Sequence, residues 1–335
     1  MDSIGLLSAG EARSWGVVYQ WGLELVRTIQ TIENPALTAL IKAITLLGSE
    51  VFYVPAVLLV YWCIDEKKGC RWTLLLLFSS WTNSALKVLL KQPRPYFLDP
   101  SVGIGAASGY GLPSGHAQLS LVFWAAALPG ALGKRRAWLI AGSITLIIGF
   151  TRLYLGLHFP TDLLGGWLLA LVILGAWYVL LPPLERLPAA GGMRILMIGA
   201  AALAFGMNAL YPGDRRFGAL FLGFSAGYLL MRSYFPFSAS AEVRGKFSGT
   251  ILGVKSGLVF RGIRFVLGMA GTAVLYQGLK FLLGEDSLLL GRDSLFGPGH
   301  YELGRFLRYG LLGLWAAAGA PWLFLRLGLA VPREK

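Results

Sequence analysis

Charge is scarce in this sequence. Asp, Glu, Lys and Arg together make up 14% of the 335 residues, where a soluble domain carries about 25%. Apolar residues reach 56% against a usual figure of about 45–50%, and the two departures together exclude a water-soluble globule. Acid is scarcer than base, 17 residues against 30, for a formal charge of +13. In a membrane chain that excess reads first as topology, because basic residues collect in cytoplasmic loops. No basic stretch is interleaved with aromatics, so nucleic acid is not an expected partner. The two cysteines, Cys63 and Cys70, flank the charged run Asp65-Glu66-Lys67-Lys68; a cytoplasmic placement predicts reduced thiols and excludes a disulfide scaffold. Asp2 and Glu11 precede any apolar run, unlike the basic start of a signal peptide, so no cleaved leader is expected.

What the chain does have is long uncharged runs, such as 72–86, 137–151 and 163–184. A spanning helix needs about 20 mostly apolar residues. Marked by charge-free runs, the spans fall near 51–64, 71–90, 116–132, 137–155, 162–181, 193–210, 217–231, 258–283 and 305–327. The predicted fold is an all-α polytopic membrane bundle of about nine transmembrane helices, with the first beginning upstream near Thr45. Residues 13–32 place Trp15, Val18, Leu25 and Ile29 at helical spacing among Arg13, Glu24, Arg27 and Gln30, a mix that suits an amphipathic helix lying in the interface or, alternatively, a further span. Pro182-Pro183 and the stretch 188–192 are expected to break the helical pattern. The organisation is then an N-terminal interfacial segment (1–49), a bundle (50–184) and a C-terminal four-helix membrane region (185–335).

Loops alternate in character. Lys67, Lys68 and Arg71, then Lys134, Arg135 and Arg136, then Arg186 and Arg194, then Arg232, Arg244, Lys246 and Lys255, then Arg333 and Lys335 form one set, expected in the cytoplasm. Loops 91–115, 152–162, 211–216 and 284–304 form the other, expected outside. The chain is expected in the bacterial cytoplasmic membrane.

Three elements carry chemistry, all on the outward side. Lys87 ends the second span seven residues before Arg94-Pro95. A glycine-rich loop with Gly103, Gly105, Gly109 and Gly111 then leads to Pro113-Ser114-Gly115-His116, where glycine allows close backbone approach and a helix N-terminus favours an anion. Thr151-Arg152 is followed by His158 and, four residues on, Asp162, so the carboxylate can hold one imidazole N–H and fix the tautomer of a nucleophile. Each has a plain alternative: a lysine snorkelling to the interface, a flexible loop, a surface ion-pair network. Together they sum to three fixed cations, two imidazoles and one carboxylate, the equipment of phosphoryl transfer.

At these residues the sequence resembles the type-2 phosphatidic acid phosphatase superfamily, whose signature reads Lys-x6-Arg-Pro, Pro-Ser-Gly-His and Ser-Arg-x5-His-x3-Asp. The one departure is Thr151 for Ser, which keeps the hydroxyl; the resemblance covers roughly residues 51–181. It implies that His158 attacks phosphorus, Asp162 orients it, and His116 protonates the leaving oxygen. Lys87, Arg94, Arg152, Ser114 and the backbone at Gly115 and His116 would hold the phosphoryl oxygens. No metal and no cofactor is implied, and the sequence offers no grouped ligand set of its own. The expected partner is a phosphorylated lipid, such as phosphatidate, phosphatidylglycerol phosphate, a polyprenyl diphosphate or a phosphorylated sphingoid base. Glucose-6-phosphatases look similar but lack the acid matching Asp162. A phosphotransferase and a non-catalytic lipid-phosphate carrier are the alternatives. Residues beyond 188 carry no legible motif; lateral substrate access, homo-oligomer formation or a separate transport unit are the roles open to them.

Overall fold

The computed structural model describes residues 9–187, 189–241, 250–251, 254–284 and 300–333. In chain order the helices are α1 (Ala9–Gln30), α2 (Pro35–Leu46), α3 (Glu50–Cys63), α4 (Glu66–Leu90), α5 (Pro95–Leu98), α6 (Gly115–Ala127), α7 (Pro129–Leu132), α8 (Lys134–Tyr154), α9 (Pro160–Glu185), α10 (Ala189–Leu210), α11 (Arg216–Tyr234), α12 (Ser256–Leu283), α13 (His300–Leu314) and α14 (Ala320–Arg326). A 3-10 turn lies at Pro100–Val102 and a π-helical stretch at Trp315–Gly319. Strands are vestigial: β1 (Phe237–Ser238) pairs antiparallel with β4 (Val331–Pro332), and β2 (Thr250–Ile251) with β3 (Val254–Lys255).

Among the described residues, five helical segments are long and apolar enough to cross a bilayer: Glu66–Leu98, Lys134–Tyr154, Pro160–Glu185, Gly191–Leu210 and Gly257–Leu283; the pair α2 and α3, counted as one broken span, makes six. The other expected spans also fall on helices but are shorter or more polar. Pro129 divides the third into α6 and α7, α11 carries Arg216 and Arg232, and α13 carries Arg305 and Arg308. Large apolar side chains such as Leu139, Ile147, Leu168, Val172 and Val179 are exposed along α8 and α9. In water each would forfeit about 1.5–3 kcal/mol of burial; lipid contact removes that cost, and the chain is an integral membrane protein.

Three local expectations are corrected. Pro182 and Pro183 do not break the helix but lie inside α9, which runs on to Glu185. Their fixed φ is helical, and so close to the helix end the carbonyls left without N–H partners are few. The first span does not simply begin near Thr45: α2 starts at Pro35, with Asn34 as N-cap accepting from the Leu37 N–H at 2.9 Å, and the chain breaks at 47–49 before α3. His300, expected in a loop, is the first residue of α13. Loop residues 242–249 (with Arg244 and Lys246), 252–253 and 285–299 lie outside the described residues.

The chain divides into two compact units, Met1–Phe52 with Thr82–Gly175, and Tyr53–Trp81 with Ala176–Lys335. In the second unit α11 crosses α13 at small residues: a Cβ on Gly223 would lie 1.9 Å from the Gly310 carbonyl oxygen. Close approach of this kind substitutes for the hydrophobic effect between helices in lipid. The π stretch is satisfied from outside. Pro321 has no N–H to give the preceding turn, and Tyr61 Oη and Trp62 Nε1 donate to the Ala317 and Ala316 carbonyls at 2.7 and 2.8 Å. In the first unit α6 packs along α8, and α1 and α2 also pack on α8.

Candidate active site

All the signature residues lie in the first unit, at the meeting of four helix ends: the C-terminal turns of α4 and α8 and the N-termini of α6 and α9. The end of α8 explains how His158 arrives. Leu155 caps the helix and Gly156 follows with φ +67°. The Gly156 N–H reaches the Leu153 carbonyl at 2.9 Å, and the Leu157 N–H reaches Arg152 at 3.0 Å. This is a Schellman closure, which needs a residue in the left-handed region, and glycine enters it without steric cost. A Cβ at Gly156 would also stand 1.8 Å from the Val102 carbonyl oxygen. The chain therefore turns sharply and delivers His158 directly beneath α9.

α9 opens at Pro160, which makes Phe159 the N-cap and Asp162 the third helical residue. Asp162 Oδ2 accepts the Phe159 N–H at 3.0 Å, the backward half of a capping box. The same oxygen lies 3.0 Å from His158 Nδ1, both side chains being buried. On the other side of the ring Arg94 Nη1 stands 3.2 Å from Nε2. A guanidinium only donates. Nε2 must therefore be the unprotonated nitrogen and Nδ1 the one whose proton points at Asp162. Burial, followed by the charges of Arg94, Lys87 and Arg152 and by His116, holds the His158 pKa well below the ordinary histidine value, which keeps the ring neutral.

The cations are seated on carbonyls. Lys87 Nζ donates to Tyr110 and Gly111 at 2.8 and 2.9 Å. Arg94 donates to Ser108, Gly109 and Leu157 at 2.8–2.9 Å, which stitches the glycine-rich loop to the segment carrying His158. Arg152 donates from Nη1 to Thr45 Oγ1 at 2.9 Å, while its buried Nε has no hydrogen-bond partner. Gly111 is the loop glycine that abuts Asp162: a Cβ there would stand 2.8 Å from Asp162 Oδ2 and from the Pro93 carbonyl.

Ser114 is fully buried and N-caps α6, its Oγ accepting from the Ala117 N–H at a long 3.5 Å, while its own N–H donates to the Asp162 carbonyl at 2.9 Å. The following N–H groups, of Gly115 and His116, open the helix with no acceptor in a preceding turn. The half-buried His116 lies within electrostatic reach of Arg152, Arg94 and Lys87. Lys87, Arg94, Ser114, Gly115, His116, Arg152, His158 and Asp162 are thus all brought together.

Sequence reasoning missed the supports. Gln30 Nε2 crosses to the Val102 and Tyr154 carbonyls at 2.9 and 2.8 Å. Arg27 pairs with Asp99 at 2.6 Å, and the Ser101 hydrogen bonds, together with that pairing, hold the Asp99 pKa down at about 2. Tyr19 donates to Gln92, whose carbonyl takes the Gly111 N–H at 2.8 Å. Asn83 Nδ2 donates to Gln118 Oε1 at 2.7 Å and to the Pro113 carbonyl at 3.2 Å. Only their polarity in apolar company marked them.

Residues 68–186 match the family described as the PAP2 superfamily, and residues 215–332 match "PAP2 superfamily phosphatase, transmembrane extension". The chain is 27% identical over 172 residues to lipid phosphate phosphatase delta of Arabidopsis thaliana, covering 47% of this chain and 41% of that protein. To phosphatidylglycerophosphatase B of Bacillus subtilis it is 31% identical over 154 residues, 42% of this chain and 74% of that one. A solved structure, the PAP2-type phosphatidylglycerolphosphate phosphatase of Bacillus subtilis, aligns with a TM-score of 0.43 at 25% identity, over 50% of this chain and 91% of that one. With its three-part signature gathered at one set of helix ends, and with nearly three-quarters of the Bacillus relative matched, the chain belongs to the PAP2 superfamily.

Proposed function

We propose that the protein is a metal-independent membrane phosphatase that hydrolyses a lipid phosphate or diphosphate through a phosphohistidine on His158. The observation that carries this reading is the fixed tautomer: Asp162 at 3.0 Å from Nδ1 and a donor-only guanidinium 3.2 Å from Nε2 leave the Nε2 lone pair as the nucleophile. Nε2 attacks phosphorus in line, and the bond to the leaving oxygen breaks. His116, protonated, gives that oxygen its proton. Water then attacks the phosphohistidine, with His116 taking one of its protons, and inorganic phosphate departs. The imidazolium that develops at His158 is stabilised by Asp162, and the charge on the equatorial oxygens by Lys87, Arg94, Arg152 and the N–H groups of Gly115 and His116.

A site at the ends of apolar helices suits a substrate that arrives through lipid. The relatives support that class: they are named for lipid phosphates, phosphatidylglycerophosphate and, in a Sulfolobus protein, undecaprenyl diphosphate. Residues 50–184 form the catalytic bundle, 1–49 its N-terminal companion and 185–335 a membrane region beyond it, with nine helices crossing in all. Arg152 and the basic run at Lys134 stand at opposite ends of the 21-residue α8, about 27 Å apart at ~1.5 Å per residue. That separation supports a site outside the cytoplasmic membrane and basic loops within the cytoplasm.

The test is phosphate release by the purified protein over a panel of lipid phosphates and diphosphates, in excess chelator, with orthovanadate as inhibitor. Release in chelator, blocked by vanadate, is expected. A chelated, inactive enzyme restored by magnesium would contradict the metal-independent reading.

A further inference from the structure

Residues 41, 45 and 48 lie at i, i+4 and i+7, a single helical face carried through α2 into the turn at 47–49. Ile41 is buried in a cluster with Tyr154, Leu155 and Leu157, the residues of the Schellman turn. Thr45, only 9% exposed, meets the 5%-exposed Arg152. Gly48 meets His116, and a Cβ there would lie 3.1 Å from the imidazole Cδ2 and 2.7 Å from Ile148 Cγ2. One face thus touches, in order, the turn that delivers His158, a phosphoryl-binding cation and the second histidine. None of these three residues falls within the stretch matched to the family, 68–186. An interruption of an apolar helical pair also needs a reason, since irregular backbone at membrane depth persists where it is buried in protein or lines a polar cavity.

We infer that the end of α2 and the turn after it are part of the active site: Thr45 is a positioning residue that aims the Arg152 guanidinium, and Gly48 is the wall against which the His116 ring is set. This deepens the phosphatase reading and rests on it. A hydroxyl does not neutralise a buried guanidinium, so Thr45 contributes direction rather than charge. By taking Nη1 it leaves the unpartnered Nε of Arg152 for a phosphoryl oxygen. Packing at 45 would be met as well by valine, which matches threonine in shape; what threonine adds is the hydroxyl at 2.9 Å from Arg152 Nη1.

The experiment uses the full chain in lipid nanodiscs with orthovanadate as the probe, its affinity read by protection against thermal unfolding. Thr45→Val keeps shape and removes the acceptor; loss of a hydrogen bond to a charged group should weaken vanadate binding about tenfold. Thr45→Ser should restore it to within about twofold. In an Arg152→Gln background Thr45→Val should have no further effect, the outcome that separates positioning from packing. Unchanged affinity in Thr45→Val, or the same loss in both backgrounds, overturns the assignment of Thr45. Gly48→Ala should slow the first step, read as the pre-steady-state release of the leaving alcohol, far more for a lipid alkyl phosphate than for p-nitrophenyl phosphate, whose leaving group needs no acid; equal slowing of that step overturns the assignment of Gly48. If the wild-type protein releases no phosphate from any lipid, the phosphatase reading fails, while the vanadate cycle still decides Thr45.

Discussion

Gly156→Ala should unseat the site without altering a reacting group. The substitution forces a side chain into the left-handed region at φ +67°, at roughly 1–2 kcal/mol. It also sets a Cβ 1.8 Å from the Val102 carbonyl oxygen, 2.8 Å from its carbon and 3.4 Å from Gln30 Nε2. Backbone must then move, and with it the Gln30 hydrogen bond to that carbonyl, 2.9 Å, worth about 1 kcal/mol. The sum is at least about 2 kcal/mol, a fall in Tm of roughly 4–8 °C at ~2–4 °C per kcal/mol. Phosphate release should fall further than stability does, because Leu157 and His158 follow directly. Gly142 is the control. It lies within α8, the helix that the Gly156 turn closes, with nothing within 4 Å of its added Cβ, so Gly142→Ala should be neutral or stabilising by up to about 1 kcal/mol. Thermal unfolding in detergent beside phosphate release reads both variants. A Gly156→Ala protein with wild-type Tm and turnover would refute the Schellman closure as the device that places His158.

Asp162→Asn can put its amide oxygen where Oδ2 meets both the Phe159 N–H and His158 Nδ1, but it removes the negative charge that stabilises the imidazolium developing at His158; turnover should fall roughly thousandfold or more with little change in Tm, and a loss below tenfold would contradict the role of Asp162. The depressed pKa of His158, surrounded by Arg94, Lys87, Arg152, His116 and Asp162, means that the unfolded chain takes up a proton there before the folded one does. Stability from this group is therefore present above the ordinary histidine range, near 6.5, and is lost as pH falls below it. His158→Gln should flatten the Tm profile on the acid side, and an unchanged profile would show that the ring is not held neutral. Ser108→Cys should be labelled by an impermeant thiol reagent in intact cells and Gly133→Cys should not; the reverse pattern would invert the topology.

The signature was legible because phosphoryl transfer dictates residue types at short spacings: Lys87 with Arg94, Ser114 with His116, and Arg152 with His158 and Asp162 each lie close together in sequence, at helix ends or in the turns between them. Helix positions were legible for the same local reason, as charge-free runs bounded by charge. What escaped was long-range or contextual. Thr45 and Arg152 are 107 residues apart and Gln30 and Tyr154 124 apart, and no periodicity announces either contact. Arg94 was expected to hold substrate oxygens, yet it also clamps Ser108, Gly109 and Leu157 together, a role set by backbone carbonyls that sequence patterns do not show. Pro182 and Pro183 misled because proline near a helix end removes few hydrogen bonds, so α9 simply continues through them.

The most direct test of His158 as nucleophile is to trap the intermediate: mix the purified protein with a lipid phosphate it turns over, quench within the turnover time under alkaline conditions that preserve phosphohistidine, and map the phosphate by mass spectrometry. The expected result is an acid-labile phosphate on His158, absent from His158→Ala, which also releases no phosphate. Phosphate on any other residue, or undiminished turnover in His158→Ala, would contradict it.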